Sequence, residues 1–485
     1  MDNTITGHFI GGQQLVPAGE PIIDVTSSLN GAVVGKVPEA GTQTVDLAVE
    51  KATEAFRKWS AIPVKERVQV LFRFKMLLEQ HMTELSELIR LENGKTFNEA
   101  KAEIEKGIEV LEFACSFPQI MDQERLEVSS GVDCESRRLP LGVVLSVTPF
   151  NFPAMVPMWT IPIAIGAGNA FILKPSEQVP LTPVRLGALF AEAGLPDGVF
   201  TVVHGKQATT EALIDHPGIQ AVSFVGSSRV ARIVYARAAS MGKRVVALGS
   251  AKNHLIVAPD ADPEVTVKNV VASFTGCAGQ RCMAASVLVL VGDTGKILDM
   301  MIEEAARLKP GPDIGSVISP AAKQRIEGYI TRAQDSGCKL LLDGRGATVE
   351  GMPGGSYVGP TIIDGVLPGT ECACDEIFGP VLSVIRVKTL DEAIAIENSC
   401  TFGNGASIYT TSGGVARYFT ERAGAGMVGV NIGIPVPREP FSFGGFKESK
   451  FGTGDITGID GLHFWTRQKK VTTKWSAAAA KNWMS

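Results

Sequence analysis

The stretch GCAGQRCMA, residues 276–284, carries two cysteines five positions apart, with Arg281 directly before the second. Small neighbours around Cys282 leave room for a substrate, and the Arg281 charge favours a thiolate, so Cys282 is a candidate nucleophile. The competing reading is a buried structural cysteine. Cys277 fits that reading, because no charged residue flanks it, and it is expected on a helix. A metal site is not expected. The eight cysteines, at 115, 134, 277, 282, 338, 372, 374 and 400, form no CxxC pair, and no histidine pattern accompanies Cys372 and Cys374. A chain of this length needs no disulfide staples, so a reducing cytoplasm is the simplest expectation.

Three further stretches place polar groups where strands should end. Asn151, in TPFNFP, follows an apolar run, and a side-chain amide there can donate to a developing oxyanion; Asn before Phe-Pro is also ordinary loop chemistry. AVSFVGSS ends in Gly226 and Ser227 before a helix beginning near Arg229, so backbone N–H groups can face a pyrophosphate. It is not GxGxxG, and many strand-to-helix turns contain glycine. In ILKPSE, Lys174 and Glu177 are spaced to hold a ribose, or simply form a solvated loop. A carboxylate on ribose hydroxyls disfavours a phosphate there, which favours NAD over NADP.

The elements around these stretches change period along the chain. Residues 44–60, 64–81 and 95–114 show helical spacing of apolar residues, and 125–140 reads as an extended hairpin. GVVLSVTPF, AFILKPSE, GVFTVVHG, AVSFVGSS and KRVVALG are short continuous apolar runs separated by helix-like segments. That alternation implies βαβ units and an α/β fold with a parallel sheet. A second strand–helix section runs from about 251 to 440. LHFWTRQKKVTTKW, residues 462–475, alternates like a strand that returns to pair with the hairpin, and Ala477–Ala480 is a short low-complexity piece. Residues 154–173 are uncharged and long enough to span a membrane, but Pro157, Pro162, Gly166 and Gly168 interrupt them, so a buried helix running into a buried strand is expected. The N-terminus lacks the pattern of a signal peptide. With 485 residues, two or three domains are expected, and a net charge of −5 argues against a broad nucleic-acid-binding surface.

Taken in order, TPFNFP, ILKPSE, FVGSS, the AKN segment, GQRCMA, EIFGPVL and FSFGGFKES resemble the aldehyde dehydrogenase superfamily over nearly the whole chain. The resemblance implies a Rossmann-like NAD domain from residues 1–120 and 141–250 and an α/β catalytic domain over 251–440. It implies a β oligomerisation arm from the 121–140 hairpin and the 441–485 return segment, in a homodimer or homotetramer. It also implies roles. Cys282 matches the nucleophile and Asn151 the oxyanion amide, acting with the Cys282 N–H. Lys174 and Glu177 match residues on the adenosine ribose, and Gly226 and Ser227 the pyrophosphate turn. Glu376 and Phe378 match residues on the nicotinamide side, and Thr148 and Phe150 line the cofactor groove. Ala231 stands where the family usually has a second glycine.

Hydrolytic members use a glutamate, in a pattern like ELGGKN, to activate water. Here the segment is VALGSAKNH, and counting back from Lys252 puts Leu248 at that position, with Ala247 and Gly249 beside it. None of these takes a proton. AKNHLIV, GQRCMA and FWTRQKKVTTKW instead resemble the CoA-acylating methylmalonate-semialdehyde dehydrogenases. In that subfamily coenzyme A attacks the thioester, and the substrate carboxylate leaves as CO2. Arg281 matches the subfamily's substrate-binding arginine, and Lys106 stands nearest a second one, keeping the charge without the bidentate fork. FSFGGFKES looks more like the general superfamily. Alternatives are a hydrolytic enzyme acting on another small anionic aldehyde, for example a sulfonated one, and a catalytically retired NAD-binding relative.

Overall fold

Strands buried on both faces show as unbroken apolar runs, and Val143–Val147 and Ala170–Lys174 are buried at every residue. They lie at the centre of an eight-stranded sheet in the computed structural model, which describes residues 5–121 and 124–474. The order across that sheet is Gln13–Leu15, His8–Ile10, Phe200–Val202, Ala170–Lys174, Val143–Val147, Ile219–Val225, Arg244–Leu248, Lys450–Gly452. The strands from Phe200–Val202 to Arg244–Leu248 run parallel, and antiparallel strands close both edges. Chain order reverses between Val143–Val147 and Ile219–Val225, which opens a crevice at their carboxyl ends. A second, seven-stranded sheet runs Lys339–Leu342, Thr361–Asp364, Val381–Val387, Ala285–Val291, Asn253–Val257, Gly405–Tyr409, Met427–Val430.

Residues 154–173 form two short buried helices, Met155–Met158 and Ile161–Gly166, followed by the strand Ala170–Lys174. No helix among the described residues is long and apolar enough to cross a membrane. Helices Thr42–Trp59, Val64–Gln80 and Phe97–Cys115 occupy the expected segments, and Met82–Asn93 adds one that the spacing did not suggest. Helix Phe97–Cys115 opens with a capping box: Thr96 Oγ accepts the Glu99 N–H and Glu99 Oε2 accepts the Thr96 N–H. Such a cap stabilises by about 1 kcal/mol and leaves Glu99 Oε1 for another partner.

The returning strand is Thr466–Lys474, paired antiparallel with Val132–Pro140, which in turn pairs with Glu124–Ser129. The expected strand is therefore too long at its start, because Leu462, His463 and Phe464 belong to helix Gly458–Phe464, whose buried face includes Leu462 and Phe464. Trp475 and Ala477–Ala480 lie outside the described residues, as do residues 122–123 of the expected arm.

Candidate active site

Helix Pro263–Thr275 runs into a tight turn over Gly276–Gly279, and Cys282 follows just before strand Ala285–Val291. Cys277 is not on a regular helix: it and Ala278 sit at φ near +50°, where a tight reversal aims the following residues back across the sheet end. The turn leaves no room at Gly279, where a Cβ would lie 2.0 Å from the Gly379 carbonyl oxygen. The Cys282 carbonyl is pinned by two side-chain amides, Asn253 Nδ2 at 2.8 Å and Asn404 Nδ2 at 2.9 Å. The backbone carrying the thiol is thus fixed before any ligand arrives.

Burial pushes the Cys282 thiol up to about 12, and the nearby Glu376 carboxylate pushes the same way. The N–H groups of Cys282 and Met283 and the Arg281 charge pull it down, in that order. Arg281 thus favours the thiolate, as expected, and desolvation outweighs it, holding the resting sulfur toward the thiol. The Arg281 side chain lies beside Cys277, and the Cys277 N–H donates to Glu99 Oε1 at 2.5 Å. Cys277, with no charged neighbour in sequence, thus has two in space.

Two cavities meet at Cys282. One, of about 640 Å³, is lined by Phe150, Asn151, Gly226, Ser227, Glu376 and Phe378 among others. The other, of about 470 Å³, is lined by Glu99, Lys106, Trp159, Cys277, Arg281 and Arg438 among others. The first opens at the crevice where strand order reverses. Thr148 N–H donates to the Lys174 carbonyl at 3.1 Å, and Lys174 Nζ lies 3.7 Å from Glu177 Oε2. Burial pulls the Lys174 ammonium below its ordinary value, with Glu177 opposing. Ser227 occupies the N-cap of helix Ser228–Ser240 without using its side chain as a cap, and the Gly226 N–H donates to the Leu248 carbonyl at 3.1 Å. Gly249 beside them has no space for a side chain, since a Cβ would meet Ser228 Oγ at 2.4 Å. Ala231 on that helix is fully buried against the sheet. Phe378, at φ +53°, stands edge-on to Phe150 with centroids 5.9 Å apart. Glu376 Oε1 accepts the Ala251 N–H at 2.8 Å, and burial raises its carboxyl above the usual range. Leu248 is 4% exposed and packs in the hydrophobic core at the end of its strand.

Asn151 is buried on the wall of the first cavity, and its Nδ2 donates to the Gln280 carbonyl at 3.0 Å. A charged frame absent from the sequence reading holds its backbone. Lys95 Nζ donates to the Asn151 carbonyl at 2.8 Å and to Glu103 Oε2 at 2.5 Å, and lies 4.1 Å from the Phe152 ring centre. Glu103 Oε1 takes the Ala154 and Met155 N–H groups at 2.7 and 3.0 Å. Asn93 Nδ2 donates to the Phe150 carbonyl at 2.8 Å. The sequence did hold one signal: Glu103 falls on the buried face of its helix with Ala100, Ile104 and Gly107.

On the other side of Cys282, Lys106 is not a free cation. It donates to Glu109 Oε2 at 2.7 Å and to Glu439 Oε2 at 3.4 Å, and Arg438 donates to Glu109 Oε1 at 3.0 Å. Arg281 approaches Glu99 Oε1 at 3.8 Å, outside hydrogen-bond distance. Glu109, Arg438 and Glu439 were missed because their meeting depends on the loop 434–442 folding back on helix Phe97–Cys115, and Glu99 because it depends on the turn carrying Cys277 and Arg281. No cluster of metal-binding side chains occurs among the described residues.

The model for the aldehyde dehydrogenase family matches residues 16–471. Malonate-semialdehyde dehydrogenase 1 of Geobacillus thermodenitrificans (strain NG80-2) is 45% identical over 477 residues, 96% of this chain and 98% of that protein. The crystal structure of methylmalonate-semialdehyde dehydrogenase from Oceanimonas doudoroffii superposes with a TM-score of 0.97 at 41% identity, covering 99% of this chain and 100% of that one. A NAD complex of a candidate methylmalonate-semialdehyde dehydrogenase from Sinorhizobium meliloti 1021 gives a TM-score of 0.96 at 41% identity, with 98% of each chain covered. The chain belongs to the aldehyde dehydrogenase family.

Proposed function

We propose that this protein oxidises malonate or methylmalonate semialdehyde with NAD through a thioester on Cys282 and passes the acyl group to coenzyme A, with loss of CO2. The observation that carries the CoA step is Leu248: a buried leucine stands at the position that the motif resemblance gives to the water-activating glutamate of hydrolytic members. The names of the relatives, at 45% and 41% identity over nearly full length, support the substrate class.

The crevice suits a dinucleotide. Its floor has no room for a side chain at Gly249, the helix start at Ser227 offers backbone N–H groups, and Glu376 on its wall is an acceptor for ribose hydroxyls. Thr148, Phe150, Lys174, Glu177, Gly226, Ser227, Glu376 and Phe378 would hold NAD, which supplies a hydride acceptor when bound. We place cofactor binding on the eight-stranded sheet and the nucleophile on the seven-stranded sheet.

The Cys282 thiol gives up its proton to solvent, and the thiolate sulfur attacks the aldehyde carbon. The carbonyl oxygen gains charge, and the Asn151 amide turns from the Gln280 carbonyl to donate to it together with the Cys282 N–H. The frame of Lys95, Glu103 and Asn93 keeps that amide in reach. After hydride loss a thioester remains, and no carboxylate at residue 248 activates water against it. The CoA thiol brings its own nucleophile. Arg281 faces the substrate acid group. The arm of residues 124–140 and 466–474 exposes Leu126 and Val128, which suits burial against another copy in a homodimer or homotetramer. All eight cysteines are free, as a reducing cytoplasm requires.

Intact-mass measurement tests the central intermediate. Mixing enzyme, NAD and malonate semialdehyde without CoA should leave an acyl adduct on Cys282 that persists until CoA is added. An adduct that decays at the turnover rate without CoA would refute the reading.

A further inference from the structure

The 470 Å³ cavity holds three cations, and they are not equivalent. Lys106 spends two of its three donors on Glu109 and Glu439, and Glu109 also holds Arg438. Arg438, Glu109, Lys106 and Glu439 therefore alternate in sign and cancel. The Glu439 side chain is 9% exposed and that of Lys106 19%, so water screens this contact only partly. Arg281 differs. Its nearest carboxylate oxygen is 3.8 Å away, and among the described residues its guanidinium donates to no oxygen acceptor. A planar fork with unspent donors lies one residue from the nucleophile, and a second cation on the wall of the same cavity is already neutralised.

We infer that Glu439 is a specificity-determining residue: by neutralising Lys106 it leaves Arg281 as the single anion anchor, so the site accepts aldehydes with one acid group and disfavours those with two. This rests on the reading of Arg281 as the acid-group anchor. Glu439 touches no reacting atom and acts through Lys106. Removing its charge restores a cation to the cavity wall, where a second acid group of a ligand can reach it.

The test uses propanal as a neutral substrate with NAD and CoA present, read by NADH formation, with propionate (one acid group) and malonate (two) as competing ligands. In the unaltered enzyme malonate should inhibit no more than about twofold better than propionate. Glu439→Gln should tighten malonate inhibition roughly three- to tenfold while the propanal KM moves by less than about twofold. The gain should vanish when Lys106→Met is also present, because the released lysine is its source. Malonate inhibition unchanged in Glu439→Gln, or a gain that survives Lys106→Met, would overturn the inference. So would loss of propanal turnover in a Glu439→Gln enzyme that melts normally, since Glu439 would then serve the chemistry itself. Should Glu439→Gln fail to fold, Glu439→Ala removes the same charge and must give the same gain. If neither acid competes with propanal in the unaltered enzyme, the acid-aldehyde reading fails, and this inference with it.

Discussion

Replacing Lys95 by methionine tests whether the buried frame controls the oxyanion amide. The Lys95 and Glu103 side chains are 1% and 0% exposed, so the substitution leaves a carboxylate buried without its cation. Breaking such a pair costs about 3–5 kcal/mol. Glu103 keeps the Ala154 and Met155 N–H donors, which places the cost near the lower end, about 3 kcal/mol. With an unfolding entropy of about 2 cal/mol/K per residue, a chain of this size changes by about 1 kcal/mol per kelvin, so the melting temperature should fall by about 3 °C. Lys95 also holds the Asn151 carbonyl, so the amide should drift. Complete loss of an oxyanion donor costs about 10²- to 10³-fold in kcat. A displaced one should cost roughly 10- to 100-fold, with a smaller effect on KM. Differential scanning fluorimetry and propanal kinetics on Lys95→Met and Glu103→Gln read both quantities. A variant that melts lower yet keeps kcat within about twofold would refute the link from Lys95 to Asn151.

Two further outcomes follow from titrating groups. Because burial pushes the Cys282 thiol up to about 12 in the ligand-free enzyme, its alkylation by iodoacetamide should climb steadily from pH 6 to pH 10 without a plateau, and a plateau below pH 8 would mean a resting thiolate. Glu92 is fully buried and its carboxyl is raised to about 7 from 4.5, chiefly by burial. The folded chain therefore binds a proton that the unfolded chain releases, and this stability is fully present below pH 4.5 and lost as pH rises through 7, on the order of 3 kcal/mol. Glu92→Gln should flatten the decline in melting temperature between pH 5 and pH 8, and an unaltered slope would contradict the assignment.

What was legible in the sequence follows from which forces are local. Val143–Val147 and Ala170–Lys174 read as strands because burial on both faces makes them almost wholly apolar, with Ser146 and Lys174 the exceptions near their carboxyl ends. The pairing of Thr466–Lys474 with Val132–Pro140 was anticipated from alternation alone. The strand's start was misjudged because Leu462 and Phe464 alternate equally well on the buried face of a short helix. The pull of Arg281 on Cys282 is legible from adjacency, whereas the desolvation that outweighs it comes from the tertiary fold. Lys95 and Glu439 were missed for the same reason. Lys95 meets Asn151 56 residues away, and Lys106 meets Glu439 333 residues away, and no local pattern encodes either contact.

The most direct test is NADH formation from malonate and methylmalonate semialdehydes with and without CoA, with the products identified by mass spectrometry. Leu248 in place of a base predicts one NADH per Cys282 without CoA, and continued turnover to acetyl-CoA or propionyl-CoA once CoA is present. Rapid turnover to free acid without CoA would contradict the account and place a water-activating base elsewhere in the site.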